Sequence, residues 1–254
     1  QYGHQKKRLQ MWHICKKNIS NYFISTKMPR FKIVYTDFTS ILKFLKFIKS
    51  RWFALALLLL VFAVLLEEVF ERETLVTDRL AYGFFVQNLR APYLTGILKI
   101  ITELGGTIFL TLMGILSIFL VKNKIIKWLI PLNLVLSAII NTSLKYLIQR
   151  PRPEGYRLIE QGGFSFPSGH SMSSMAFYGF LIYLVHKKVK NEKKSKIYTA
   201  VFSILIILIG LSRIYLGVHY ASDVLAGFSV GLSYLIVFCT FVKEKYGEAL
   251  KEEF

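Results

Sequence analysis

The sequence predicts an all-α fold, an integral membrane bundle of six helices. Three observations carry that expectation. The chain of 254 residues is 54% hydrophobic, with a mean hydropathy of +0.45, which suits a membrane protein better than a soluble domain. Six apolar runs approach the roughly 20 residues needed to cross a bilayer. Lysine and arginine collect in alternate connections, as expected if basic loops stay cytoplasmic.

Taken in order, residues 1–51 form a basic segment whose twelve lysines and arginines face a single acid, Asp37, so this end is expected in the cytoplasm. Within it, "FTSILKFLKFIKS" (38–50) sets Ile41, Leu42, Leu45 and Ile48 on one helical side and Lys43, Lys46 and Lys49 on another. That spacing fits an amphipathic helix on the inner membrane surface or a helical extension of the first span. A six-span region, 52–242, follows, beginning with Trp52–Phe70. The connection from Glu67 to Pro92 carries Glu67, Glu68, Glu71, Glu73 and Asp78 against Arg72, Arg79 and Arg90, and reads as external. Leu75–Leu89 is expected to be a short interfacial helix, with Pro92 marking the restart. The second span is read at Ile101–Val121, interrupted by Gly105 and Gly106 near its outer end.

The basic loop "KNKIIK" (122–127) returns the chain inside, and Trp128–Leu147 crosses again. A short, serine-bearing fourth span follows at Ser171–Val185, then the inner loop "HKKVKNEKKSK" (186–196) and a fifth span at Tyr198–Leu216. The sixth, Ala221–Val242, holds a GxxxG pair, Gly227 and Gly231, read as intramolecular helix packing. A tail, 243–254, completes a multi-pass protein of the cell (plasma) membrane with both termini cytoplasmic. The net charge of +18 is thus mostly a topology signal; nucleic-acid binding would want basic residues interleaved with aromatics on a folded surface. Cys15 and Cys239 are far apart and both cytoplasmic, so no disulfide is expected.

Charged groups beside a bilayer are costly unless they face protein or water, which isolates three clusters. "KYLIQRPRP" places Lys145 at the end of the third span, with Arg150 and Arg152 beyond it. "FPSGHSMSS" puts His170 at the start of the fourth. "SRIYLGVHYASD" ends the fifth span at Arg213 and starts the sixth with His219 and Asp223. With the alternation above, all three clusters meet at the extracytoplasmic ends of the helices. Basic residues gather outside only there, and an anion is the simplest reason.

The residue types suggest the chemistry. Lys145, Arg152 and Arg213 can surround a phosphate, the guanidinium groups as planar paired donors and the lysine as a point charge. Ser168 caps a helix start whose unpaired N–H groups favour an anion, Pro167 sets the turn, and Gly169 lets the backbone approach. His219 and Asp223, four apart, share a helical face. A carboxylate on one ring nitrogen leaves the other free to attack phosphorus, so His219 reads as nucleophile and His170 as the acid for the leaving oxygen. The scheme needs no metal and no cofactor. Arg150 and Arg157 read as surface charges, Asn141 and Ser143 as interhelical hydrogen-bonders, and His4, His13 and His186 as cytoplasmic bystanders.

At these residues the chain resembles the type 2 phosphatidic acid phosphatase family, the membrane branch of a superfamily that includes vanadium haloperoxidases. K-x6-RP stands at Lys145–Pro153, PSGH at Pro167–His170, and SR-x5-H-x3-D at Ser212–Asp223. The resemblance spans about Trp52–Val242 and leaves out the first fifty residues. It implies phosphate binding by Lys145, Arg152, Ser168, Gly169 and Arg213, attack by His219 with Asp223 in support, and acid catalysis by His170. It also implies metal-free hydrolysis of lipid phosphates and diphosphates, with undecaprenyl diphosphate expected first, then phosphatidylglycerol phosphate or phosphatidic acid. A non-catalytic lipid-phosphate binder or transporter is the alternative, and the histidine pair argues against it because binding needs neither acid nor nucleophile. Haloperoxidase chemistry fits the membrane setting poorly.

Overall fold

The computed structural model describes residues 50–71 and 76–247, and the helix expected at 38–50 falls outside them except for Ser50. The described residues from Ala54 onward belong to one compact unit. The described elements are α1 (Arg51–Phe70), α2 (Val76–Tyr82) running into a π-helical segment (Gly83–Asn88), α3 (Pro92–Glu103), α4 (Thr107–Leu120), α5 (Ile126–Ile148), α6 (Gly169–Lys188), α7 (Glu192–Tyr215) and α8 (Ala221–Tyr246). Among the described residues every element of regular secondary structure is a helix.

Among the described residues four helices, α1, α5, α7 and α8, are long and apolar enough to cross a membrane; α3 and α4, bent by 41° at their junction, make a fifth if counted as one span. The expected six therefore become four or five by length and apolarity. The helix that falls short is α6, whose first turns carry His170, Ser171, Ser173 and Ser174. Its polarity has a packing cause. The helix lies against α5, α7 and α8, and Ser171 and Ser174 are fully buried, so these hydroxyls face protein rather than lipid. By contrast α1 has no buried residue, and its leucines and valines need a lipid environment. The chain is a multi-pass membrane protein.

The second segment also starts earlier than Ile101. Thr95 and Lys99 dilute its apolar run in sequence, yet Pro92 opens the helix at its first position, where its fixed φ and missing N–H cost nothing. Tyr215 then locks this start: its hydroxyl accepts from Ala91 N at 3.0 Å and lies 2.8 Å from Thr95 Oγ1. At the other boundaries the change is one of length. Asn191 caps α7 by accepting from Lys194 N at 2.9 Å, drawing the basic loop into the helix, and α8 continues to Tyr246.

The α6–α8 crossing positions the polar end of the bundle. A Cβ added to Gly227 would stand 2.6 Å from the Ser168 carbonyl and 2.9 Å from Ser171 Cβ. Main chain therefore meets main chain, the packing use expected of the GxxxG pair. Below it an apolar core forms around Ile126, Leu129, Phe177, Phe180, Ile209 and Phe238. Gly227→Ala is expected to destabilise the protein by about 1–3 kcal/mol through overpacking, read as a lowered thermal midpoint in detergent; an unchanged midpoint would show that the two helices can separate freely.

Candidate active site

Helix α5 stops where Gln149 takes a left-handed backbone, φ 54°, and residues 149–168 then run without regular structure to α6. Cations hold this connection to the helix ends. Lys145, in the last turn of α5, donates from Nζ to the carbonyls of Phe164 (2.5 Å) and Ser165 (3.3 Å). Arg152 donates from Nε to Gly162 O and Gly163 O, and from Nη1 to Val218 O at 2.9 Å. Arg213, 1% exposed, donates to Thr102 Oγ1 and Gln161 Oε1 at 2.8 and 2.6 Å. Its Nε is buried and makes no hydrogen bond among the described residues.

The PSGH turn lies against the same residues. Ser168 is fully buried; its Oγ accepts from Ser171 Oγ at 3.0 Å, and its N–H donates to Asp223 O at 2.9 Å. A Cβ on Gly169 would approach Asn141 Oδ1 to 3.0 Å, so a side chain there would crowd α5. Asn141 donates from Nδ2 to Pro167 O at 3.4 Å. His170 sits half-buried in the first turn of α6, close enough to Lys145, Arg152, Arg213 and His219 for each to act on it electrostatically. All eight residues singled out for the site thus lie at one end of the bundle.

His219 occupies the short link between α7 and α8, 4% exposed. Its Nδ1 lies 3.3 Å from Asp223 Oδ2 and its Nε2 lies 3.0 Å from Arg152 Nη1. A guanidinium can only donate, which assigns the lone pair to Nε2 and the proton to Nδ1. Burial, opposed by Asp223 and reinforced by Arg152 and Arg213, pushes the imidazole down to about 3. Asp223 Oδ2 also accepts from Ser165 Oγ at 2.5 Å and from Tyr220 N at 2.9 Å.

Several members of this network are not what the sequence suggested. Arg150 is not a surface charge. Its side chain is 10% exposed and its guanidinium bridges Asp223 Oδ1 (2.7 Å) and Asp78 Oδ2 (3.0 Å), with Tyr220's ring 4.2 Å away. Burial opposes this charge, but the two carboxylates outweigh it and raise the arginine above its ordinary value. Asp78 had counted only as one of the acids of an external connection; it is 4% exposed and accepts from Ser222 N at 2.8 Å. Ser165 had no signal beyond its place three residues before Ser168. A cavity of about 300 Å³ opens beside His219, walled among others by Tyr82, Val86, Tyr156, Ile214 and Tyr220.

Over 148 residues the chain is 34% identical to phosphatidylglycerophosphatase B of Bacillus subtilis (strain 168), an alignment covering 57% of this chain and 73% of that protein. The chain belongs to the PAP2 superfamily. The PAP2 superfamily model matches residues 126–246, which contain the whole cluster apart from Asp78 and Thr102. The crystal structure of a transmembrane PAP2 type phosphatidylglycerolphosphate phosphatase from Bacillus subtilis superposes with a TM-score of 0.69 at 30% identity, covering 76% of this chain and 98% of that one. Dolichyldiphosphatase of Saccharomyces cerevisiae is 28% identical over 123 residues, 46% of this chain and 52% of its own length. As a PAP2 member, the protein is a phosphatase.

Proposed function

We propose that the protein is a six-span membrane lipid phosphatase that works through a phosphohistidine at His219, with its site at the extracytoplasmic ends of the helices. One observation carries the mechanism: Asp223 holds the Nδ1–H of His219 while Nε2 carries the lone pair toward Arg152. Lys145, Arg152 and Arg213 bind the phosphoryl oxygens together with the Gly169 N–H at the start of α6 and the Ser168 hydroxyl, the Ser168 N–H being engaged by Asp223 O, and Arg213 Nε is a donor with no acceptor among the described residues. Nε2 attacks phosphorus as the P–O bond to the lipid breaks, and His170, protonated once the bound phosphate dianion offsets the cations around it, delivers that proton to the departing oxygen. The now neutral His170 then takes a proton from water, the hydroxide displaces Nε2 from phosphorus, and inorganic phosphate leaves. Three fixed cations supply the charge that a metal would otherwise bring.

The substrate is a phosphomonoester or the terminal phosphate of a lipid. Undecaprenyl diphosphate was the first expectation; the relatives of Bacillus subtilis favour phosphatidylglycerol phosphate, and the yeast relative keeps polyprenyl diphosphates in view. Purified protein in one detergent should release phosphate from a panel of phosphatidylglycerol phosphate, undecaprenyl diphosphate, phosphatidic acid and diacylglycerol pyrophosphate, fastest from the first, and EDTA should leave the rates within about twofold. Strict metal dependence would overturn the mechanism, and binding without release would favour a carrier.

A further inference from the structure

The PAP2 signature residues do not account for the buried charge on the far side of Asp223. There Arg150 Nη1 donates to Asp223 Oδ1 and to Ser222 Oγ, both at 2.7 Å, while Nη2 donates to Asp78 Oδ2 at 3.0 Å. Asp78 in turn accepts from Ser222 Oγ at 2.7 Å and from Ser222 N at 2.8 Å. Asp78 comes from α2, Arg150 from the 149–168 connection, and Ser222 and Asp223 from the first turn of α8. Three segments remote in sequence thus meet behind one carboxylate, and the two carboxylates share one guanidinium.

We infer that Arg150, itself held by Asp78, is a positioning residue for the reaction: it pins Oδ1 of Asp223 so that Oδ2 stays on Nδ1–H of His219. Geometry gives the reason. A carboxylate turns about its Cβ–Cγ bond, and Asp223 must present one edge to His219, Ser165 and Tyr220 N while it is fully buried. A guanidinium on the other oxygen fixes the plane and supplies the countercharge for a carboxylate removed from water. Asp78 orients the guanidinium and caps the N-terminus of α8 from outside the helix. Neither residue touches the phosphate cradle, so both act through Asp223.

The inference rests on the assignment of His219 as nucleophile, and its test separates the two. In steady-state kinetics on phosphatidylglycerol phosphate, Arg150→Met should lower kcat by about 10- to 100-fold with KM within about twofold, because the lost interaction matters when His219 gains charge. Arg150→Lys should recover part of kcat, since it returns the charge without the paired geometry. Asp78→Asn should lower kcat less, and the double variant Asp78→Asn/Arg150→Met should be no slower than Arg150→Met alone. The pH profile supplies a readout that a purely structural role would not move. Asp223 is faced by His219, Ser165, Arg150 and, across Arg150, Asp78, with Lys145 and Arg152 within electrostatic reach. Removing Arg150 takes away a cation that favours the ionised carboxylate, so the acid limb of kcat should move toward neutral pH. Unchanged kcat in folded Arg150→Met, a loss carried wholly by KM, or additive effects in the double variant would overturn the inference. If Arg150→Met does not fold, Arg150→Lys carries the test: reduced kcat with a displaced acid limb supports it, and wild-type values for both overturn it. In the same assay, activity in His219→Ala would sink the nucleophile assignment, whereas an inactive His219→Ala beside an unaffected Arg150→Met would sink this inference alone.

Discussion

His219→Ala should abolish turnover, lowering kcat by about 10⁴-fold or more, since no other side chain can take over the covalent step. The placement of the imidazole makes this the sharpest test available. Nδ1 is committed to Asp223, so Nε2 alone is left to react, and burial keeps it unprotonated. The loss should fall on kcat, while the phosphate cradle of Lys145, Arg152 and Arg213 stays in place. Wild-type enzyme given ³²P-labelled substrate and quenched rapidly in alkaline detergent should carry acid-labile, base-stable label, absent from His219→Ala. Near-normal rates in the variant would remove His219 from its role.

Arg152→Ala comes next, with an expected fall in kcat/KM of about 10²- to 10³-fold. Two effects combine here. The substitution removes a cation from the cradle, and it leaves the carbonyls of Gly162, Gly163 and Val218 without their donor. Arg152→Lys separates them, because an ammonium restores the charge without the planar group that serves Gly162 O and Gly163 O from Nε while Nη1 serves Val218 O and His219 Nε2. The lysine variant should therefore regain substrate affinity more than rate. Equal recovery of both would mean that Arg152 contributes charge alone.

Which parts of this molecule could be read from its sequence follows from where each residue's partners lie. His219 and Asp223 are four apart, and Ser168 caps the helix that begins one residue later, so helical spacing was enough to propose them. Long apolar runs likewise located α1, α5, α7 and α8. The signal failed where partners are distant. Arg150 looked like a surface charge because Asp78 lies 72 positions away and Asp223 lies 73 positions away. Similarly, α6 looked like a weak span because the protein that buries its serines is not visible in its own composition. The start of α3 was masked in the same way, by a tyrosine at the far end of α7.

The carbonyls that hold Lys145 and Arg152 have a bearing on which molecules can enter. With Phe164, Ser165, Gly162 and Gly163 already serving as acceptors, an uncharged headgroup would trade one neutral oxygen for another and gain little. A phosphate dianion, if it binds these cations as proposed, brings formal charge to the exchange and would displace the loop's oxygens favourably. Under the proposed assignment, the free site would select entrants by valence before any lipid tail is examined.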